Sequence, residues 1–155
     1  MNKQNKGQGI KLGVVVSEFN DFITKRLFDG CLKELKRLGV KDKDITVAFV
    51  PGALELPVAA LTLARRRGIQ AVICLGCVIR GETFHFELVA QGAAAGITQV
   101  SLLTGKPVIF GVLSTNTVKQ AYKRAEIKGD NSDNKGRDAA GTAIDMVRLL
   151  SGLKK

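Results

Sequence analysis

The single histidine of this chain lies in a loop that concentrates residues able to do chemistry. His85 follows Gly81, Glu82 and Thr83, immediately before a stretch with a helical pattern. An imidazole gives or takes protons near neutral pH, and the free N–H groups at a helix start favour anions such as phosphate. A lone histidine is more often structural. Its place beside an anion-type loop nevertheless favours proton transfer at a phosphorylated ligand.

Two further loops carry groups with more than one interpretation. Glu55 falls in the first turn of a predicted helix, after the turn signal Pro51-Gly52. A carboxylate there either caps the helix or accepts hydroxyls from a polyol, and the residues alone favour the cap. Phe19 stands in a polar setting. Its ring either stacks on a planar heterocycle or packs on the next helix as a hydrophobic staple.

The other candidate side chains also have structural interpretations. Phe110 lies within a predicted strand, which places it in the core by default. Arg124 lies near a helix end, where it complements the helix dipole or clamps a phosphate. Cys74 and Cys77 form a CxxC pair, but Cys74 is inside an apolar run and not at a helix start. We therefore expect neither a redox pair nor a metal site.

Alternating strands and helices must bring these loops together. Four apolar runs predict strands, at residues 12–16, 45–50, 71–75 and 108–113. Helical patterns lie at about residues 21–38, 54–67, 85–104, 117–125 and 137–153. Continuous apolar strands alternating with helices are typical of a parallel sheet covered on both faces. The prediction is a three-layer α/β sandwich of flavodoxin-like type with a four-stranded parallel sheet, in which ligands bind at the carboxyl ends of the strands.

Length and composition limit the function classes. The 155 residues fit one domain over residues 10–155, after a polar tail at residues 1–9 that we expect to be mobile. We expect no signal peptide and no membrane span, and a cytoplasmic location. A net charge of +10 suggests nucleic acid. The charges are spread, however, and no basic stripe with interleaved aromatics is present, so a basic surface that attracts phosphorylated metabolites is favoured.

The motifs together resemble the lumazine synthase family from about Gly13 to the C-terminus. The matching pieces are Ser17-Glu-Phe-Asn20, Pro51-Gly-Ala-Leu-Glu-Leu-Pro57, Gly76-Cys-Val-Ile-Arg-Gly-Glu-Thr-Phe-His-Phe-Glu87, Pro107-Val-Ile-Phe-Gly-Val-Leu-Ser114, Gln120-Ala-Tyr-Lys-Arg-Ala125 and Asn134-Lys-Gly136. The resemblance implies a condensation without cofactor or metal. In it, 5-amino-6-(D-ribitylamino)uracil and 3,4-dihydroxy-2-butanone 4-phosphate give 6,7-dimethyl-8-ribityllumazine, phosphate and water, in the penultimate step of riboflavin biosynthesis.

The resemblance also implies roles for single residues. His85 would shuttle protons and Phe19 would stack on the pyrimidine. Residues implied to bind the ribityl chain and the pyrimidine are Ala53, Leu54, Glu55, Cys77, Val78 and Ile79. Those implied to hold the butanone phosphate are Glu82, Thr83 and Arg124, with the Glu82 carboxylate pointing away and its N–H serving. Phe110 corresponds to a residue that a neighbouring subunit contributes.

The family resemblance further implies a homo-oligomer with active sites between subunits. Relatives form pentamers, and in some species twelve pentamers form a hollow shell. The segment 128–136 is longer here than in shell-forming relatives, so we hypothesise a pentamer or a dimer of pentamers. The small residues at 92–96 permit close helix approach.

One alternative keeps the fold but removes the chemistry. A non-catalytic flavin or lumazine binder would need Phe19 and Glu55 but neither His85 nor Arg124. Since both are present, an enzyme is favoured.

Overall fold

A computed structural model describes residues 5–129 and 133–154 and contains a four-stranded parallel sheet in the order β2-β1-β3-β4. The strands are β1 (Leu12–Ser17), β2 (Ile45–Val50), β3 (Ala71–Ile79) and β4 (Val108–Thr115). The helices are α1 (Asp21–Arg37), α2 (Leu56–Ala64), α3 (His85–Thr104), α4 (Val118–Arg124) and α5 (Lys135–Leu153). Short 3-10 turns occupy Asp42–Asp44 and Ala53–Glu55. The predicted three-layer sandwich is confirmed.

Two aliphatic cores lie on opposite faces of the sheet. Alternate residues of β1 point into them, with Val14 and Val16 packing in the core with α1 and α5, and Val15 in the core with α2 and α3. Because both faces are covered, the strands show no polar alternation. The continuous apolar runs of the central strands β1 and β3 reflect this double burial.

Strand β3 is longer than predicted. It was expected to end at residue 75, but Gly76 to Ile79 continue its ladder by pairing with Val112 to Thr115 of β4. The partner strand lies 36 residues further along the chain, so no local pattern signals the extension. Cys77, Val78 and Ile79 therefore belong to a strand end and not to a loop.

The second helix is shorter than predicted. The chain first makes the 3-10 turn at Ala53–Glu55, and α2 then ends at Ala64 instead of continuing to residue 67. Gly68 has a φ of +91°, a conformation that side-chain-bearing residues rarely adopt. The tripeptide Arg65 to Arg67 thus forms the turn that leads into β3.

Phe110 is not a core residue, contrary to the default expectation. Its side chain is 44% exposed on β4, which has β3 on one side and no strand on the other among the described residues. A residue can be assigned to the core from its place in a strand only when that strand is central, and β4 is an edge strand. An exposed ring on an edge strand is therefore available to a partner or a ligand.

The small residues on α3 permit close packing within the chain. A side chain added at Gly92 would come within 2.8 Å of Leu54, and one at Gly96 within 2.6 Å of Pro57. Helix α3 thus approaches the 3-10 turn and the start of α2 closely. No helix in residues 5–129 or 133–154 is long and apolar enough to cross a membrane.

The predicted tail is only partly described. Residues 1–4 lie outside the described residues, whereas Asn5 to Gly9 form a turn that contacts the domain. Gly7 is buried there, and its N–H donates to the Leu38 carbonyl at 2.8 Å. The division of the chain at residue 10 stays a prediction.

Asn134 connects three segments on the α1/α5 face. Its buried side-chain oxygen accepts from the Arg137 N–H at 3.0 Å, and so caps α5. Its amide nitrogen donates to the carbonyls of Arg26 at 3.1 Å and Glu126 at 3.0 Å. The absence of a side chain at Gly30 leaves room for this amide.

Replacing Asn134 with alanine should lower the free energy of unfolding by about 2–4 kcal/mol, because a helix cap is lost and two partly buried carbonyls lose their donor. Asn134→Asp keeps the cap acceptor but not the donor, so its loss should be smaller than that of alanine. Urea denaturation of the three proteins at equal concentration measures the difference. An alanine variant as stable as the parent would contradict this account of the loop.

Candidate functional site

A cleft of about 400 Å³ opens at the carboxyl edge of the sheet. We call it the rim cleft. Its walls come from the β1–α1 loop, the turn before α2, the end of β3 and the start of α3. Its lining residues are Phe19, Gly52, Ala53, Leu54, Glu55, Cys77, Val78, Ile79, Gly81, Thr83, His85, Phe86 and Val89. The structure thus brings an aromatic ring, a carboxylate, the loop before α3 and an imidazole together in one cleft.

The β1–α1 loop is held between two strands in a way that exposes an aromatic ring. The N–H groups of Glu18 and Phe19 donate to the carbonyls of Val50 and Pro51 at 2.8 and 3.1 Å. The Phe19 side chain remains 69% exposed at the cleft. A ring that is fixed by its backbone and open on its faces suits stacking on a planar heterocycle.

Asn20 has a role that sequence reasoning missed. It precedes α1, but its side chain makes no cap hydrogen bond there. Instead its amide donates to the Cys77 carbonyl at 2.9 Å, and its φ of 58° makes it the one described non-glycine residue with left-handed backbone. Asparagine tolerates that conformation better than most residues. That tolerance is the only signal the sequence offered.

The Glu55 side chain is not a helix cap, although the residues alone favoured that interpretation. It makes no cap hydrogen bond at the start of α2. The carboxylate lies beside Gly52, where an added Cβ would come within 2.9 Å of Oε2. The acceptor oxygens of Glu55 therefore remain available to hydroxyl groups of a ligand in the rim cleft.

The end of β3 offers backbone groups to the rim cleft. Strand β1 pairs with β3 only as far as Leu75, whereas β4 pairs with it to Ile79. Between Gly76 and Ile79, the side of β3 that faces away from β4 has no neighbouring strand among the described residues. Apart from the Cys77 carbonyl, which Asn20 occupies, this edge can hydrogen-bond a heterocycle through main-chain groups.

The start of α3 carries the features of an anion site. Phe84 precedes the helix, and no side chain caps the helix N-terminus. The His85 N–H makes only a 3.4 Å contact with Thr83 Oγ1. Helix α3 is 20 residues long, so its N-terminus carries the full helix-dipole charge. Gly81 and Thr83 line the cleft but Glu82 between them does not, so the implied phosphate contact of the Glu82 N–H stays a prediction.

Arg124 and Phe110 lie elsewhere. Together they line a second cleft of about 600 Å³ along the outer edge of β4, which also contains Lys135 and Asp138 of α5. We call it the β4-edge cleft. It shares no lining residue with the rim cleft. The structure therefore separates the predicted site residues into two groups on one chain.

An acidic residue that was not predicted organises the β4-edge cleft. Asp133 Oδ2 lies 2.7 Å from Arg124 Nη1, and its Oδ1 lies 3.3 Å from Lys135 Nζ. Partial burial pushes the pKa of Asp133 upwards, but the hydrogen bonds from Arg124 and Lys135 outweigh it and hold that pKa below its ordinary value. Asp133 is thus ionised at neutral pH and positions both cations.

The cysteines have no redox geometry. All three are buried and free, and burial raises the pKa of Cys74 and of Cys77 to about 12. A thiol with such a pKa forms almost no thiolate at neutral pH. The structural interpretation of the CxxC pair is confirmed. Within residues 5–129 and 133–154, no group of three His, Cys, Asp or Glu side chains is placed to hold a metal ion.

Comparisons with known proteins agree on one family. The family model described as 6,7-dimethyl-8-ribityllumazine synthase matches residues 9–151. A protein of that name from Syntrophus aciditrophicus is 54% identical over 143 residues, which cover 92% of this chain and 91% of the relative. Another from Thermus thermophilus is 48% identical over 148 residues, which cover 96% and 92%.

Proposed function

Because the chain belongs to the 6,7-dimethyl-8-ribityllumazine synthase family, we propose that its rim cleft joins 5-amino-6-(D-ribitylamino)uracil to 3,4-dihydroxy-2-butanone 4-phosphate. The chain is a transferase of riboflavin biosynthesis, and its product is 6,7-dimethyl-8-ribityllumazine. The observation that carries the site assignment is the meeting of Phe19, Glu55, Thr83 and His85 in one cleft.

The pyrimidine occupies the part of the cleft between β1 and β3. Its ring stacks on Phe19, and its amide edge bonds main-chain groups on the free side of β3 between Cys77 and Ile79. The ribityl chain extends along the 3-10 turn at Ala53–Glu55, where the uncapped Glu55 carboxylate accepts its hydroxyls.

The phosphorylated ketone occupies the start of α3. Free N–H groups and the Thr83 hydroxyl bind its phosphate. The 5-amino group of the pyrimidine attacks the ketone, and loss of water gives an imine. Phosphate then leaves, and the ribitylamino nitrogen closes the second ring with loss of a second water. His85 moves protons to and from the reacting oxygen and nitrogen atoms.

Positioning supplies much of the rate. Both substrates are intrinsically reactive, so holding amine and ketone in contact replaces a bimolecular encounter with an intramolecular step. The direct test is to mix the protein with both substrates and follow the fluorescence of the product. Formation well above the uncatalysed rate supports the enzyme. Binding of the product without turnover supports the non-catalytic lumazine binder instead.

A second copy of the chain completes the site. Arg124 and Phe110 lie in the β4-edge cleft, so they reach a ligand in a rim cleft only if that cleft belongs to another subunit. Contact between two different surfaces is heterologous, and such contacts generate a ring where the rotation between neighbouring subunits closes. Exposed apolar side chains on α2 and α3, including Val58, Leu102 and Leu103, support burial against a neighbour.

We expect a ring of five subunits, alone or as two stacked rings. Light scattering should therefore give the mass of five or ten chains of 16.6 kDa. A megadalton particle would contradict the inference drawn from the long segment 128–136, part of which lies outside the described residues. A monomer would contradict the shared site. Location in the cytoplasm stays a prediction of the sequence.

A further inference from the structure

The Arg80 side chain connects three elements beside the rim cleft without lining it. Arg80 is the first residue after β3, and its N–H donates to the Thr115 carbonyl at 2.8 Å. Its Nε donates to the Asn116 side-chain oxygen at 2.9 Å, just beyond β4. Its Nη1 forms an ion pair with Glu87 in the first turn of α3.

The guanidinium also packs against an aromatic ring. Its central carbon lies 4.3 Å from the centre of the Phe86 ring, within the range of a cation–π contact. One planar group thus contacts residues 86 and 87 of α3 and residue 116 after β4. The flat, multiply donating shape of arginine suits this role, and lysine cannot reproduce it.

The loop between Arg80 and α3 has few contacts of its own. Glu82, Thr83 and Phe84 are exposed, and an added Cβ at Gly81 would meet nothing within 4 Å. Among the described residues, the side chains of this loop make one hydrogen bond, the 3.4 Å contact between Thr83 Oγ1 and the His85 N–H. The position of the loop therefore depends on what holds its two ends, and Arg80 contacts both.

We propose that Arg80 is a positioning residue, which fixes the first turn of α3 against the ends of β3 and β4 so that the anion-binding loop and His85 face the rim cleft. This inference rests on the proposed function and extends it. Loss of Arg80 should therefore affect one substrate more than the other. Binding of the phosphorylated ketone depends on the start of α3, whereas binding of the pyrimidine depends on Phe19, the 3-10 turn and the end of β3.

A second effect of Arg80 is on charge. The hydrogen bond from Arg80 lowers the pKa of Glu87, so the carboxylate is ionised and paired throughout the neutral range. The pairing is lost only as the pH falls through that lowered pKa. Without Arg80, the first turn of α3 would carry an unpaired negative charge near the phosphate. Loss of Arg80 would thus loosen the start of α3 and leave the Glu87 charge unpaired, and both changes weaken binding of the butanone phosphate.

The test compares Arg80→Met with Arg80→Lys and with a matched control. In Arg80→Met, the KM for the butanone phosphate should rise about tenfold and kcat should fall about tenfold, while the KM for the pyrimidine stays within about twofold. Arg80→Lys should recover only part of the loss. The control is Arg37→Met, which removes another arginine–glutamate ion pair, the two-bond pair to Glu34 on α1, and should change none of the constants.

Two results would overturn the proposal. One is Arg80→Met with both KM values and kcat unchanged, and the other is both KM values rising together with a lowered Tm, which is the signature of a purely structural role. A parallel calorimetric titration with inorganic phosphate needs no turnover, and Arg80→Met should weaken binding about tenfold relative to Arg37→Met. If the parent protein forms no product, the proposed function fails, and the titration still decides the role of Arg80.

Discussion

Replacing Arg124 with alanine should lower kcat/KM for the butanone phosphate by about 100- to 1000-fold. The guanidinium supplies charge-assisted hydrogen bonds to the phosphate and to the charge that grows as phosphate leaves, and removing one such donor costs on this order. Steady-state kinetics with the ketone as the varied substrate measure the loss. The KM for the pyrimidine should change little.

A matched control lies beside it on the same helix. Lys123→Ala removes an exposed cation of α4 that lines neither cleft, and it should leave kcat/KM within about twofold. Arg124→Lys keeps the charge but loses the two-pronged geometry, so its activity should fall between the parent and alanine. Equal activity of Arg124→Ala and Lys123→Ala would show that Arg124 is not part of the site.

Replacing His85 with alanine should lower kcat by about 100-fold and leave the enzyme active. Proton transfer by a placed imidazole contributes a factor of that order, whereas the positioning provided by the other cleft residues is retained. Both KM values should stay close to those of the parent. Single-turnover fluorescence measurements at saturating enzyme give the residual rate of the variant. The uncatalysed reaction, measured in parallel, gives the rate with which it is compared.

Two outcomes would revise the role of His85. Complete loss of activity with intact substrate binding would mean that proton transfer matters more than positioning. Full activity would mean that His85 is structural, in spite of its place beside the anion-binding loop.

The fold was largely predictable because its signals are local. Every strand is a short apolar run. In α1, the apolar residues Ile23, Leu27 and Leu35 recur at helical spacing, and all three are fully buried. Gly39 and Gly105, with φ of +91° and +63°, follow helix ends where the sequence places a stop. Alternation of strands and helices then leaves few topologies.

The errors and omissions share a non-local cause. The extension of β3 depends on pairing with β4, and Phe110 is exposed because β4 is an edge strand. Partners far along the chain decide each of these features, and periodicity does not report them.

The sequence predicts the residues of the candidate site but not their division between two clefts. The rule that ligands bind at the carboxyl ends of parallel strands correctly placed Phe19, Glu55, Thr83 and His85 together. It says nothing about which cleft of one chain receives Arg124. The contacts of Arg80 were missed because its two side-chain hydrogen-bond partners, Glu87 and Asn116, lie 7 and 36 residues away and have no motif of their own.

The central claim is that each active site combines the rim cleft of one subunit with the β4-edge cleft of the next. The measurement is activity of a mixed oligomer, assembled by refolding equal amounts of His85→Ala and Arg124→Ala subunits together. Random assembly in a ring leaves about a quarter of the interfaces with both halves intact, so we predict recovery to about a quarter of the parent activity. Activity no greater than the mean of the two separate variants would contradict a site shared between subunits.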